Sequence, residues 1–165
     1  MGTSRSSRTV EPEVPRRVWL RPIGVVRSPV TRPLEHGWGQ VVSTIRVTRG
    51  FGPGLRGVES FSHLAVLFVM HQARFRERDL VRRPRRRRDM PPLGIFAQRA
   101  SCRPNLLGLT VVRLLRRQGA LLEVRGLDAI DGSPVLDLKP HVRAFDSPGR
   151  PLEPEWMGRL MTGYF

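Results

Sequence analysis

The chain has 165 residues, 39% of them apolar and 26% charged, which suits one globular domain with a wet surface and leaves no room for a second. Its 29 Lys+Arg against 14 Asp+Glu give a net charge of +15, which reads either as favouring a polyanionic partner, nucleic acid or an anionic membrane surface, or as no more than the raised pI of an arginine-rich proteome. A single cysteine excludes an internal disulfide framework, the four histidines lack the paired spacing of a zinc motif, and no apolar run approaches a membrane span; a soluble, cytoplasmic chain without metal or membrane is expected.

Residues Met1 to Arg17 are rich in Ser, Pro and Arg and have little to bury, so they read as a disordered basic arm. Order should begin near Val18, where VWLRPIGVV reads as a strand before the turn signal RSPVTRP. VVSTIRV (Val41 to Val47) alternates apolar and polar residues along part of its length, as a half-buried strand does. Gly52, Gly54 and Gly57 match the spacing of a dinucleotide-binding loop, with Asp79 placed as its ribose acid. Pro53 stiffens that loop, however, and no helical period follows, so a Gly-rich turn is the better reading.

FSHLAVLFVM (Phe61 to Met70) is a fuller apolar run, a strand covered on both faces or a short buried helix. The charge run Arg82 to Asp89 follows, broken by Pro84, and would present six arginines either as a solvated loop or as a flap that grips phosphates. PLGIFA (Pro92 to Ala97), LGLTVVRLL (Leu107 to Leu115), ALLEVRGL (Ala120 to Leu127) and PVLDL (Pro134 to Leu138) complete about seven short strands. The expected fold is all-β, a single β-barrel with few short helices over residues 18–146, and a C-terminal tail over 147–165 that packs on or near it.

Several side chains stand where chemistry is plausible. His71 and Gln72 end an apolar strand, where side chains leave the core; the histidine faces either a cavity or plain solvent, whereas His63, within the run, reads as structural. Arg99 and Arg103 flank a turn stiffened by Pro104 and either converge on one anion or pair with structural carboxylates. Asn105 is suited to satisfying that turn's backbone. Of Asp128, Asp131 and Asp137, one could accept ribose hydroxyls, and Asp131-Gly132 is a hairpin signal. Asp137 and Lys139 are two apart, on one face of a regular strand, and Lys139 is the only lysine in the chain. A compact ammonium kept where every other such charge is a guanidinium suggests a site that does not accept the planar fork.

Four blocks in order, IGVVRSPV (Ile23 to Val30), GVESFSHLAVLFVMHQ (Gly57 to Gln72), GIFAQRASCRPNLLGLTVVRLL (Gly94 to Leu115) and GLDAIDGSPVLDLKPH (Gly126 to His141), resemble the TrmO family, also called YaeB-like or TsaA-domain proteins. The resemblance implies a β-barrel that uses S-adenosylmethionine to methylate N6 of threonylcarbamoyladenosine beside the tRNA anticodon, and that pairs as a homodimer. Carried over by position, it implies a cofactor pocket lined by His71, Gln72, Arg99, Leu109, Gly126, Leu127 and Asp128. His71, Asp128 and Lys139 become the proton-handling candidates. Arg85, Arg86, Arg87, Arg88, Arg103, Asn105 and Lys139 become the contacts to the anticodon stem-loop. The chain departs from the family pattern at Gln98 and Ala100, at Leu106 and Leu107, and at HGWGQVV (His36 to Val42), which stands where an early P-R-Q-P-G-L is usual. The long C-terminal extension of bacterial relatives is missing. Two other expectations remain: the same barrel methylating a small molecule, and an RNA-binding barrel without catalysis.

Overall fold

The computed structural model describes residues 17–147 and 149–165; apart from Arg17, the expected basic arm lies outside them. Six strands close a barrel: β1 (Gly24–Arg27), β2 (Val42–Val47), β3 (His63–Val69), then β6 (Leu107–Gln118), β7 (Leu121–Arg125) and β8 (Pro134–Pro140). Between β3 and β6 the chain makes an excursion over residues 70–106, within which β4 (Val81–Arg82) and β5 (Leu93–Gly94) form a separate two-stranded ribbon. The order around the barrel is β1-β2-β7-β6-β3-β8, and every pairing is antiparallel. The barrel thus uses six of the expected strands, and the segment Pro92 to Ala97 contributes only the short β5 before tightening into a 3-10 turn over Ile95–Ala97.

The period-two pattern explains which side chains go inside. Ile45 and Val47 of β2, Leu64, Val66 and Phe68 of β3, Val112 of β6, Leu122 and Val124 of β7 and Val135 of β8 form the core, each at 3% exposure or less. Gly108 of β6 lies opposite Phe68, and a Cβ there would overlap the phenylalanine ring, so the core is shaped around the missing methyl group. β6 is long because it serves two neighbours: its first half pairs with β3, and from Arg113 onward it pairs with β7.

Antiparallel closure sorts the connections between two rims. One rim carries the 28–41 loop, the 70–106 excursion and the 126–133 loop; the other carries the 48–62 connection with its Gly-rich 3-10 segment Arg49–Leu55. After β8 come two short helices, α1 (Arg143–Asp146) and α2 (Glu155–Met161). The last residues then return to the first rim, where the N–H groups of Gly37 and Trp38 donate to the carbonyls of Gly163 and Tyr164, both at 2.8 Å. No helix among the described residues is long and apolar enough to cross a membrane.

Candidate active site

His71 and Gln72 follow β3 after Met70 and are exposed at the first rim. The His71 Nδ1 lies 3.3 Å from the Ser133 hydroxyl, and its Nε2 faces the open side of Gly132. Gly126, Leu127 and Asp128 follow β7 at the same rim. Gly126 takes a left-handed φ of 85°, which turns the chain out of the barrel. Leu127 is wholly buried in the core, so only its backbone is offered to the rim.

Asp128 is the most heavily partnered group there. The Thr110 hydroxyl, projecting inward from β6, donates to Oδ1, and the Tyr164 phenol donates to Oδ2 at 2.9 Å. Arg85 of the charge run lies over the Tyr164 ring, 5.3 Å from its centroid. Burial, then the Asp128 charge and hydrogen bond, push the phenol well above the usual tyrosine range, with Arg85 and Arg99 opposing. Thr110 and Tyr164 were not legible as site residues. The first looks like one inward position of a strand, and the second follows a tail without periodicity.

The excursion arranges its arginines unequally. Arg82 bonds to Asp79 at 3.4 Å and to the Cys102 sulfur, while Arg83 donates to the carbonyls of Met90 and Arg88. Arg87 makes a two-pronged pair with Asp89, at 3.0 and 2.7 Å, which raises the arginine pKa and lowers that of the aspartate. Arg85 and Arg86 take left-handed φ values of 47° and 56°, at a cost of about 1–2 kcal/mol per residue. Arg86 and Arg88 are exposed. The run is therefore a tethered flap, with Pro84 and Met90 buried beneath it, and not a loose loop. Gln98, one of the departures from the family pattern, clamps the ribbon: its Nε2 donates to Arg82 O and Leu93 O, each at 2.8 Å.

Arg99 and Arg103 do not meet on a common anion; Arg99 donates to the carbonyl of Leu109 and Arg103 to that of Gln98 at 2.9 Å. Asn105 is exposed in the turn before β6, whose backbone closes through Leu106 N–H to Arg103 O at 3.0 Å. Leu109 projects outward, 51% exposed, from the third position of β6. Asp131 is structural: it accepts from Ser28 N at 3.1 Å and lies 3.5 Å from Arg27. Lys139 is set apart. It lies near the far end of β8, opposite Ala65, about 17 Å along the strand from the rim. There it pairs with Asp137 at 2.7 Å on the barrel's outer face, and this contact raises its pKa. Across β6, β3 and β8 this face shows Leu109, Leu67 and Asp137 in one row and Val111, Ala65 and Lys139 in the next.

One rim thus gathers a carboxylate held by two hydroxyls, several guanidiniums, a histidine and a half-exposed leucine. This donor set fits S-adenosylmethionine: an acid for its ribose or ammonium, cations for its carboxylate, and an apolar surface for its adenine. The chain matches the tRNA-methyltransferase O N-terminal domain over residues 29–147. A probable S-adenosyl-L-methionine-binding protein of Methanothermobacter thermautotrophicus is 44% identical over 79% of this chain and 94% of its own length. The human tRNA (adenine(37)-N6)-methyltransferase is 39% identical over 61% of this chain, which spans only 22% of that protein. The crystal structure of TrmO from Pseudomonas aeruginosa superposes with a TM-score of 0.69 at 31% identity, covering 88% of this chain and 64% of that one. With the barrel, the rim and these similarities in agreement, the chain belongs to the tRNA-methyltransferase O family.

Proposed function

We propose that the chain is an S-adenosylmethionine-dependent methyltransferase that adds one methyl group to N6 of threonylcarbamoyladenosine beside the anticodon of a tRNA. The observation that carries this reading is Asp128, anchored by Thr110 and Tyr164 in the same rim that presents the arginine flap. When bound, the cofactor supplies an electrophilic sulfonium methyl, so the protein's task is alignment and exclusion of water more than covalent chemistry. Asp128 holds the cofactor's hydroxyls or ammonium, Leu109 packs on its adenine, and Arg99, beside Leu109, faces its carboxylate. The acylated acceptor nitrogen would give up its N–H proton as the new N–C bond forms and the methyl's bond to the sulfonium sulfur breaks, its electron pair staying on sulfur as a thioether. His71, on the open side of Gly132, is the group at this rim suited to take the proton. Arg86 and Arg88 hold phosphates of the anticodon stem-loop.

The enzyme works in the cytoplasm as a homodimer, through the outer face of β6, β3 and β8. Support for the dimer comes from the apolar patch on that face, where exposed Val111 stands beside half-buried Ala65 and Leu67, closed on one side by the Asp137–Lys139 pair.

The test is nucleoside mass spectrometry of tRNA carrying threonylcarbamoyladenosine after incubation with the protein and S-adenosylmethionine. A gain of one methyl on that nucleoside, lost in Asp128→Asn, is expected. Cofactor binding without methylated nucleoside would move the acceptor to a small molecule; no cofactor binding would leave an RNA-binding barrel.

A further inference from the structure

We propose that Tyr164 is a positioning residue of the methyl-transfer site, fixing the Asp128 carboxylate for the cofactor and joining it to the arginine flap through Arg85. The inference rests on the reading of Asp128 as a cofactor contact. The backbone at Asp128 is set by Leu127, which is sunk in the core, but its side chain could still rotate. Two donors from different parts of the chain remove that freedom: the Thr110 hydroxyl on Oδ1 and the Tyr164 phenol on Oδ2. Each oxygen keeps a further lone pair, so both anchors and a ligand hydroxyl can be served together.

Tyr164 is itself held from every side. Its N–H donates to Met161 O at 3.0 Å, its carbonyl accepts from the N–H of buried Trp38, and the Phe165 ring meets it edge-on at 4.9 Å. The strip that receives it, Gly37 to Gly39, lies in the segment where the chain departs from its family's pattern. A Cβ on Gly39 would overlap the backbone of Phe165, so the strip and the last residues are shaped to each other. Arg85, over the ring, belongs to the flap assigned to RNA. Phosphate contacts of the flap and the carboxylate of the cofactor site therefore share one aromatic side chain.

Tyr164 is the only tyrosine in the chain, so the phenolate absorbance reads this residue alone. Cofactor affinity would be measured by calorimetry with S-adenosylmethionine for the intact chain, Tyr164→Phe, Asp128→Asn and the double variant, with melting temperatures alongside. Tyr164→Phe keeps the ring and its packing, and should weaken the cofactor about tenfold with little change in melting temperature. The double variant should bind no more weakly than Asp128→Asn, because the two residues act as a unit. Without cofactor, Asp128→Asn should lower the tyrosine's ionisation, while burial still holds it above its ordinary range. Unchanged affinity in Tyr164→Phe, additive losses, or an unmoved titration would overturn the proposal. A gain in affinity would overturn it as well, because the phenol would then be occupying the ligand's place. An intact chain that binds no S-adenosylmethionine would instead defeat the underlying reading of the site, an outcome the wild-type titration reports separately.

Discussion

The flap makes a quantitative prediction about salt. Each phosphate neutralised by Lys or Arg adds about 0.7 to the slope of log affinity against log salt for single-stranded nucleic acid and about 0.9 for a duplex. Six free arginines would give a slope of about 4 to 5. The structure leaves fewer: Arg82 and Arg83 are spent within the excursion, Arg85 on Tyr164, and Arg87 on Asp89. Arg86 and Arg88 remain, so replacing both should remove only about 1.4 to 1.8 of the slope. Between about 50 and about 200 mM salt the intact chain should then lose roughly tenfold more affinity for an anticodon stem-loop than the double variant does. Arg86→Asn is preferable to glutamine, because asparagine tolerates the left-handed φ of 56°. Fluorescence anisotropy over a salt series measures the slope. Asp89→Asn should raise it by about 0.7 to 0.9, releasing Arg87 to phosphate. An unchanged slope in the double variant, an equal loss on replacing Arg82 and Arg83 instead, or no response to Asp89→Asn would refute the assignment of tied and free charges.

Three further outcomes follow from the fold. Gly108→Ala drives a methyl group into the Phe68 ring, which is 2% exposed and has nowhere to move, and should cost about 1–3 kcal/mol in denaturant unfolding. Gln98→Ala leaves the carbonyls of Arg82 and Leu93 without their shared donor and should cost about 1–3 kcal/mol, with faster proteolysis confined to the excursion. Lys139→Arg should leave the melting temperature unchanged, since its pair with Asp137 is open to solvent. If the lone lysine is kept for a second copy, sedimentation will show weaker self-association of this variant; unchanged self-association and turnover would sink that role.

The strands were legible where alternation shows: segments Val41 to Val47 and Ala120 to Leu127 hold β2 and β7 because their inward residues have a period of two. Closure was not. The seam that shuts the barrel joins Gly24 to Val135, a contact with no local signature. Pro92 to Ala97 has a strand's composition, yet Ile95 turns its side chain into the core while its N–H donates to Leu80 O, which ends the ribbon. The common face of Asp137 and Lys139 was readable from spacing. What hid their orientation is an irregularity at Leu136: Phe68 pairs with Val135 and Leu67 with Asp137, so Val135 points inward while Asp137, two residues on, points out. The candidate site was legible as a list of residues and not as a grouping. Identical arginines gave no sign of which were tied, and the aromatic partner of Asp128 stands far away in the chain.

The direct pairing of Val69 with Leu107 means that residues 70–106 leave and re-enter the barrel at adjacent points of the same rim. The hydrogen-bonded wall is already complete without them, so the excursion can change length and composition while the register of β3 and β6 stays as it is. Recognition and scaffold are thereby placed under separate evolutionary pressures. A chimaera that carries a relative's excursion between Val69 and Leu107 should fold on this barrel, with the donor's choice of acceptor and the host's own carboxylate anchor.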